Sequence, residues 1–330
     1  MTSLHAFKRQ AGVSLIELMV TMAITLFLVA AAAYVYLGTR ETQRAIDTSS
    51  SNTEVGTFAL QLIGEQIMMA GYYPANTSRV LTSDESFPKI TAYPPTAVVG
   101  NNASLISDWV PPTTTPADVY KAGIFGCDSA AFLPATGKCD TTPSTGDSIV
   151  INYFTNDNLG TNTGHRFDCT GGNVDKDPSN ANRLNVANPA GPPLQPLFVS
   201  NRFAIKETYT EIDKVKIKTF SLACNGNGAA AATDIYQPLL AGIEDLQITY
   251  GVFAVTVDTK SRTAQRFYTA DDMATSVGSV AVDTGLSGDP PVLSSWARVS
   301  AVRLCITTKS QGAAFKLADK TNRTYVDCTG

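Results

Sequence analysis

The chain has 330 residues, of which 44% are hydrophobic and 16% are charged, and its formal net charge at pH 7 is −4. This length is enough to bury a real core, and we expect one globular domain behind an anchor. The mild acidity argues against general affinity for nucleic acids, because binding to phosphates needs a basic surface.

The amino-terminal segment is first basic and then strongly apolar. Residues 1–16 contain His5, Lys8 and Arg9 and no acid, and residues 13–37 are long and apolar enough to span a bilayer. The positive-inside rule predicts that the amino terminus stays in the cytoplasm and that the rest of the chain is exported. One carboxylate, Glu17, lies just inside the span. An unpaired acid in hydrocarbon is costly, so Glu17 is a candidate functional residue.

A single helix is predicted from residue 13 to residue 71, since no proline occurs before Pro74 and helix-forming residues dominate. Its second half, residues 38–71, is predicted to be amphipathic. Hydroxyl and amide residues at 48–53 compete for backbone hydrogen bonds and are a predicted weak point, where the helix can kink or loosen. Gly71 supplies a C-terminal stop. An apolar stripe at helical spacing is predicted to pack on the globular domain. Its members are Leu60, Ile63, Ile67 and Ala70.

Beyond the helix, the composition changes from loop-forming to strand-forming. Frequent Pro, Thr, Ser, Asn and Gly favour long loops from residue 74 to about residue 146. The predicted strands that follow are 147–155, 197–206, 213–223, 244–257, 296–308 and 323–328, with a short helix at 271–276. The predicted fold class is α+β, with one long helix packed on the mostly antiparallel sheet of a globular domain at residues 72–330.

All six cysteines lie in the part that is predicted to be exported, and an even number in an oxidising compartment predicts disulfides. Six cysteines allow fifteen connectivities. We favour two local loops, which leave one further pair: Cys305–Cys328, Cys127–Cys139 and Cys169–Cys224. Free buried thiols are the alternative. A zinc site is less favoured, because no C-x-x-C motif occurs and His165 is the one histidine beyond His5.

Two charged segments are candidates for ligand binding. One predicted strand places three lysines on a single face: Lys214, Lys216 and Lys218. One interpretation is contact with DNA phosphates, anionic polymers or an acidic partner. The favoured alternative is a solvated edge strand that its lysines protect against pairing with other strands. Residues 168–177 (DCTGGNVDKD) offer oxygen ligands without the spacing of a calcium loop, so no metal is expected.

The chain lacks a nucleophile elbow and a glycine-rich phosphate loop, so we expect neither an enzyme nor a cofactor.

The junction G-V-S-L-I-E at residues 12–17 resembles the class III signal of type IV pilins and pseudopilins. The resemblance implies a type IV pilin fold and a leader, residues 1–12, that a prepilin peptidase removes by cutting after Gly12 and methylating Val13. Glu17 is then an assembly residue that sets axial register. A carboxylate in low dielectric needs a cation, and the freed amine of a neighbouring subunit brings one to the same depth. Many major pilins have a proline in the region where this chain has Tyr34.

Three further stretches are similar to PilW-type minor pilins, and they leave residues 75–235 without a match. They are residues 64–73 (GEQIMMAGYY), 239–251 (LLAGIEDLQITYG) and 296–306 (WARVSAVRLCI). The resemblance implies a minor pilin that helps to prime pilus assembly and is a candidate for the fibre tip. Its implied partners are other minor pilins, the major pilin, the prepilin peptidase, the inner-membrane assembly platform and, before assembly, membrane lipid. The implied location is the inner membrane with a periplasmic C-terminal domain, and then the pilus fibre.

Three rival interpretations stay open. The nearest is a J-like pseudopilin of type II secretion, which uses the same helix. A tip adhesin or DNA-uptake subunit would bind its ligand through residues 75–235 or through the lysine strand, although DNA binding is the less favoured alternative. A monomeric membrane-anchored binding protein would have no pilin partners.

Overall fold

The computed structural model describes residues 14–71, 123–134, 136–154, 167–174, 198–212, 215–228, 235–254, 263–278, 280–281, 292–293, 295–309 and 328. The chain divides into two compact units, residues 1–51 and 52–330. The second unit holds the last turns of the long helix together with all the described strands.

The long helix α1 spans Leu15–Met69 and bears out the prediction of one N-terminal helix. It begins after Ser14, whose hydroxyl oxygen accepts the backbone N–H of Glu17 at 3.3 Å, as an N-cap residue does. Hydroxyl side chains within the apolar stretch donate to carbonyls of the preceding turn, as Thr25 Oγ1 does to Thr21 O at 2.5 Å. These bonds satisfy the hydroxyl groups without opening the helix.

The helix is continuous through residues 48–53, the segment where the sequence predicted a weak point that can kink or loosen the helix. Next to this segment, Thr57 Oγ1 donates to Thr53 O at 2.8 Å. A hydroxyl that bonds one turn back satisfies its own polar group and leaves the backbone ladder intact at that position.

The helix ends at Met69, and Gly71 just beyond it adopts a positive φ of 70°, as predicted for a C-terminal stop. The Gly71 N–H donates to Asn152 O, and the Asn152 N–H donates to Gly123 O, both at 2.9 Å. A Cβ on Gly123 would lie 2.6 Å from the Gly71 nitrogen. Backbone hydrogen bonds therefore fix the end of α1 to the sheet. The two backbones approach so closely there that position 123 must be glycine.

Five antiparallel strands form the main sheet, in the order β1-β4-β5-β6-β7. Their bounds are β1 Ile124–Cys127, β4 Ser148–Phe154, β5 Phe198–Ile212, β6 Val215–Gly226 and β7 Gln237–Ala241. Between β1 and β4, the chain forms the hairpin of β2 Ala130–Leu133 and β3 Lys138–Pro143.

A second sheet has three antiparallel strands in the order β12-β8-β9. Their bounds are β8 Ile243–Val252, β9 Arg266–Tyr268 and β12 Val299–Thr308. Two short strands, β10 Val280–Ala281 and β11 Val292–Leu293, pair with each other. The predicted short helix occurs as one helical turn at Ala270–Asp272 that continues as a π-helix at Met273–Val277.

Several sequence predictions need correction. Residues 124–143, which were predicted to be loop, form β1, β2 and β3. The predicted strand at 296–308 begins with a 3-10 turn, Trp296–Arg298, before β12. The sequence also did not predict β7, β9, β10 or β11. The predicted strand at 323–328 lies outside the described residues, apart from residue 328.

The main core lies between the second half of α1 and the two sheets. Ala59 and Ile63 are fully buried, and Ile67 and Ala70 pack beside them. Full burial of a side chain such as isoleucine contributes roughly 1.5–3 kcal/mol. Leu60 is 41% exposed, so its place in the predicted stripe is wrong. At about 100° per residue, it points roughly 60° away from Ile63, at the margin of the buried face.

A smaller core covers the other face of the main sheet. It consists of Ala131, Ala204, Ala223 and Tyr236. The Tyr236 hydroxyl donates to the Phe132 carbonyl at 2.7 Å, which satisfies its polar end inside the protein. The β2–β3 hairpin therefore packs on the sheet and does not form a surface loop.

We predict that Gly123→Ala destabilises the second unit by about 1–3 kcal/mol, because the new Cβ collides with the backbone at Gly71. Gly64→Ala is the matched control, since open space surrounds that helical position and alanine favours a helix. The measurement is denaturant-induced unfolding of the detergent-solubilised chain. Equal stabilities of the two variants would contradict the close approach.

Candidate functional site

The amino-terminal part of α1 carries an uncovered apolar surface. Its large side chains are mostly exposed, with Leu15 at 78%, Phe27 at 74% and Tyr34 at 82%. Among the described residues, α1 is the one helix that is long and apolar enough to cross a membrane, and its most apolar window has no buried residue. Such a surface is stable only in lipid or against other apolar helices.

Glu17 is the acid in the first turn of this helix. A carboxylate there is favoured by the positive end of the helix dipole. The predicted cleavage and methylation residues, Gly12 and Val13, lie outside the described residues. An acid therefore lies at the start of an uncovered apolar helix, and in the sequence it follows the predicted cleavage junction.

All six cysteines are paired, in the three combinations that the sequence favoured. The Cα–Cα distances are 5.7 Å for Cys127–Cys139, 6.3 Å for Cys169–Cys224 and 5.6 Å for Cys305–Cys328. This pairing leaves none of the six cysteines as a free thiol. The first disulfide joins β1 to β3, and the second joins the loop at 167–174 to β6.

The acidic loop that begins at Asp168 is held by hydrogen bonds to its own carboxylate. Asp168 Oδ1 accepts the backbone N–H of Thr170 at 2.9 Å, the Thr170 hydroxyl at 2.7 Å and the Gly172 N–H at 2.8 Å. Asp168 Oδ2 accepts the N–H of Gly228 at 2.7 Å. Both oxygens of Asp168 are thus bound to protein donors, while residues 175–177 of the predicted segment lie outside the described residues.

The lysine strand carries its own compensating acids. Lys218 Nζ lies 2.5 Å from Glu207 Oε2 on the neighbouring strand, and Lys216 is directly opposite Glu211. The hydrogen bond from Lys218 lowers the pKa of Glu207, and the bond to Glu207 raises the pKa of Lys218. Lys214 lies outside the described residues. This mixed-charge arrangement favours the solvated strand over a phosphate-binding surface.

Hydrogen bonds of one buried asparagine, which the sequence did not indicate, connect the long helix, the main sheet and the loop at 167–174. Asn201 Nδ2 donates to Gln66 Oε1 at 2.7 Å, and Asn201 Oδ1 accepts the Cys169 N–H at 3.0 Å. Asn201 is 1% exposed, so these bonds satisfy an amide that water does not reach. Gln66 lies in the stretch 64–73, and the similarity of that stretch to PilW-type minor pilins was the one indication in the sequence that this part of the helix matters.

A second missed residue is Asp147, which joins the two sheets. It is 3% exposed, and its carboxylate accepts the N–H of Ser129 at 2.9 Å and the N–H of Ile248 at 2.7 Å. Burial raises the pKa of Asp147 to about 6. The fully buried Tyr250 ring lies nearby and packs on Trp296 with centroids 4.9 Å apart. Burial also raises the pKa of Tyr250 well above its usual value.

Two family models match the chain at opposite ends. The model described as Type IV Pilus-assembly protein W matches residues 202–330, and the prokaryotic N-terminal methylation motif matches residues 7–33. These matches support a type IV minor pilin. The comparisons with curated proteins and with solved structures found no significant match.

The two matched ranges bear directly on the sequence predictions. The methylation-motif match includes Gly12, Val13 and Glu17. The PilW match includes the stretches 239–251 and 296–306, and it extends through 202–235, which the sequence analysis had left unmatched. The uncovered apolar helix and the antiparallel sheets fit an α+β pilin fold. Pilin families are structural, and membership of such a family implies contact with other pilus components.

We predict that the contribution of Asp147 to the free energy of unfolding decreases as pH rises from about 4 to about 6. The folded chain holds this proton more tightly than the unfolded chain, whose pKa is near 3.8, so the stabilisation is present below that value and is lost through the folded pKa. Relative to Asp147→Asn, the wild-type chain should lose about 1–3 kcal/mol over this range. The measurement is denaturant unfolding at several pH values, and a constant difference between the two chains would contradict the prediction.

We also predict energetic coupling between Gln66 and Asn201. The double-mutant cycle of Gln66→Ala and Asn201→Ala should give a coupling energy of about 0.5–1.5 kcal/mol, because either change alone already breaks their shared hydrogen bond. Unfolding free energies of the four chains supply the measurement. Strictly additive losses would show that this bond does not fix the helix to the sheet.

Proposed function

We propose that this chain is a PilW-type minor pilin that helps to initiate assembly of a type IV pilus and is not an enzyme. The observation that carries the proposal is the combination of a methylation-motif match, an uncovered apolar helix with an acid in its first turn, and a PilW match over the sheet domain. On this proposal, the prepilin peptidase cuts after Gly12 and methylates Val13.

Before assembly, residues 13–37 hold the chain in the inner membrane with the globular domain in the periplasm. The exposure of this stretch supports that part of the proposal, because lipid is the medium that tolerates it. The three disulfides also suit an oxidising compartment. During assembly, the apolar helices of neighbouring pilins replace the lipid.

In this mechanism, Glu17 selects the axial position of the incoming subunit. Two unit charges about 4 Å apart attract by roughly 4 kcal/mol at an effective dielectric of 20, before desolvation is subtracted. A helix shifted along its axis would leave the carboxylate without the neighbouring amine. The apolar contacts are non-directional, so the ion pair supplies the register that they lack.

The globular domain then provides the surfaces that other minor pilins and the major pilin contact. The contacts that hold the second unit together, namely the helix face, the Gln66–Asn201 bond and the disulfides, give those surfaces a fixed shape. A DNA-binding function has less support, because the lysines of β6 lie beside acids.

We predict that Glu17→Ala leaves leader cleavage intact and strongly reduces the number of fibres. Cleavage depends on the junction at Gly12, whereas assembly depends on the carboxylate. Glu41→Ala is the matched control, since Glu41 is an exposed acid on the same helix beyond the apolar stretch. Fibres are counted by electron microscopy, and processing is followed by the mass of the chain. Wild-type fibre counts in Glu17→Ala would refute the register role.

A further inference from the structure

The three disulfides differ in how deeply their cysteines are buried. Cys127 is 1% exposed, and Cys224 is fully buried in the main core. The structure describes all six cysteines, and the one exposed residue among them is Cys305 on strand β12, whose partner Cys328 is half-buried. A thiol reagent reaches a disulfide from solvent, whereas cysteines buried in a core are inert. The Cys305–Cys328 bond is therefore the most accessible disulfide of this chain.

Strand alternation places Cys305 on the outer face of the three-stranded sheet. Its neighbours Leu304 and Ile306 pack against the main core, and successive side chains of a strand point to opposite faces. Thr307 lies two residues after Cys305 and shares the outer face with it. The Thr307 hydroxyl lies 3.7 Å from the Cys328 sulfur and is placed to form a hydrogen bond with it. A covalent bond and a hydroxyl contact thus tie residue 328 to the outer face of β12.

Backbone pairing holds β12 in place independently of this disulfide. Strands β12 and β8 pair without a register shift over residues 301–307, a stretch that includes Cys305. The Cys169–Cys224 bond differs, because Cys224 belongs to the main core and Cys169 packs against that core. Opening the bond between Cys305 and Cys328 therefore removes a crosslink at the surface, while the sheet pairing and the core contacts remain.

We propose that the Cys305–Cys328 disulfide is a redox-sensitive site, which undergoes exchange with an external dithiol while the rest of the second unit stays folded. The co-reactant is defined by its chemistry, namely two thiols that can close into a disulfide of their own. An oxidising compartment keeps the protein bond closed, and a dithiol opens it. The inference concerns the globular domain alone and does not rest on the proposed function.

The exchange proceeds through a mixed disulfide. A thiolate of the dithiol attacks the Cys305 sulfur and forms a new S–S bond, while the Cys305–Cys328 bond breaks and its electron pair leaves on the Cys328 sulfur. The second thiol of the co-reactant loses its proton, attacks the co-reactant's own sulfur in the mixed disulfide and releases the Cys305 thiolate. The dithiol is thus oxidised by two electrons, the protein is reduced by two electrons, and the two protons of the dithiol end on the two protein thiolates.

Access selects Cys305 as the sulfur that is attacked. Arg303 lies two residues before Cys305 on the same face, and Asp245 is paired opposite Thr307. Charges of both signs therefore flank the bond and do not decide the direction. Cys305 is exposed, whereas Cys328 is half-buried and has the Thr307 hydroxyl beside its sulfur. That hydroxyl is also placed to donate a hydrogen bond to the thiolate that leaves.

The two redox states differ in what holds residue 328. In the closed state, the bond to Cys305 fixes it on β12. In the open state, the covalent link is gone, and the contact between the Thr307 hydroxyl and a sulfur atom is weak. The site therefore couples the redox state of the domain to the attachment of residue 328 to the sheet.

The first arm of the test measures which disulfide opens. The full chain in detergent is treated with dithiothreitol without denaturant, and free thiols are labelled with iodoacetamide and located by mass spectrometry. Labels should appear on Cys305 and Cys328 at least about tenfold faster than on the other four cysteines, while the aromatic near-UV circular dichroism is retained. Equal or faster opening of another disulfide, or loss of the near-UV signal in step with the label, would overturn the proposal.

The second arm locates the first bond that forms. Glutathione, a monothiol, replaces the dithiol, and an acid quench traps the mixed disulfide before it is resolved. The glutathione adduct should lie on Cys305. An adduct mainly on Cys328 would overturn the assigned direction of attack.

A paired serine variant supplies the control. Cys305→Ser combined with Cys328→Ser removes the accessible bond, and this chain should fold, keep its other two disulfides and show no fast labelling. Fast labelling that persists would assign the accessible thiols to another disulfide, and failure to fold would contradict a surface crosslink. Cleavage after Gly12 and fibre counts in Glu17→Ala do not involve these thiols, so failure of this inference is distinguishable from failure of the proposed function.

Discussion

The structure depends on an apolar helical surface that the chain itself leaves uncovered. Between Leu15 and Leu37, the large aliphatic and aromatic side chains are at least 50% exposed. The hydrophobic effect makes such a surface unstable in water, whereas lipid or other apolar helices stabilise it. On the proposed function, a first-turn acid then distinguishes one axial position from another, which apolar contact alone does not. Anchoring, polymerisation and register would then all follow from the same stretch of sequence.

The second unit keeps a defined surface through contacts of its own, which do not involve that apolar stretch. The buried face of α1 covers the sheets, and its end is fixed through Gly71 and Asn152. Asn201 and Asp147 satisfy backbone and side-chain groups where the elements meet. These buried polar groups specify one arrangement of the elements, while the apolar contacts supply most of the stability.

The sequence predicted well what local chemistry determines. The apolar run, the stop at Gly71 and most strands after residue 147 depend on neighbouring residues, so their patterns were readable. Strands β1 to β3 were missed because Thr, Pro and Gly in that region also suit loops, and their pairing with the sheet is not local. The Gln66–Asn201 bond joins residues 135 positions apart, and the burial of Asp147 depends on a second sheet. Contacts of this range leave no periodic signal in a single sequence.

The central claim is that the apolar helix becomes an assembly element once its leader is removed and Glu17 meets the freed amine of a neighbour. Mass spectrometry of the amino terminus of this chain, recovered from sheared fibres, tests that claim most directly. The account predicts an amino-terminal peptide that begins at methylated Val13. An intact Met1 on chains in functional fibres would contradict it.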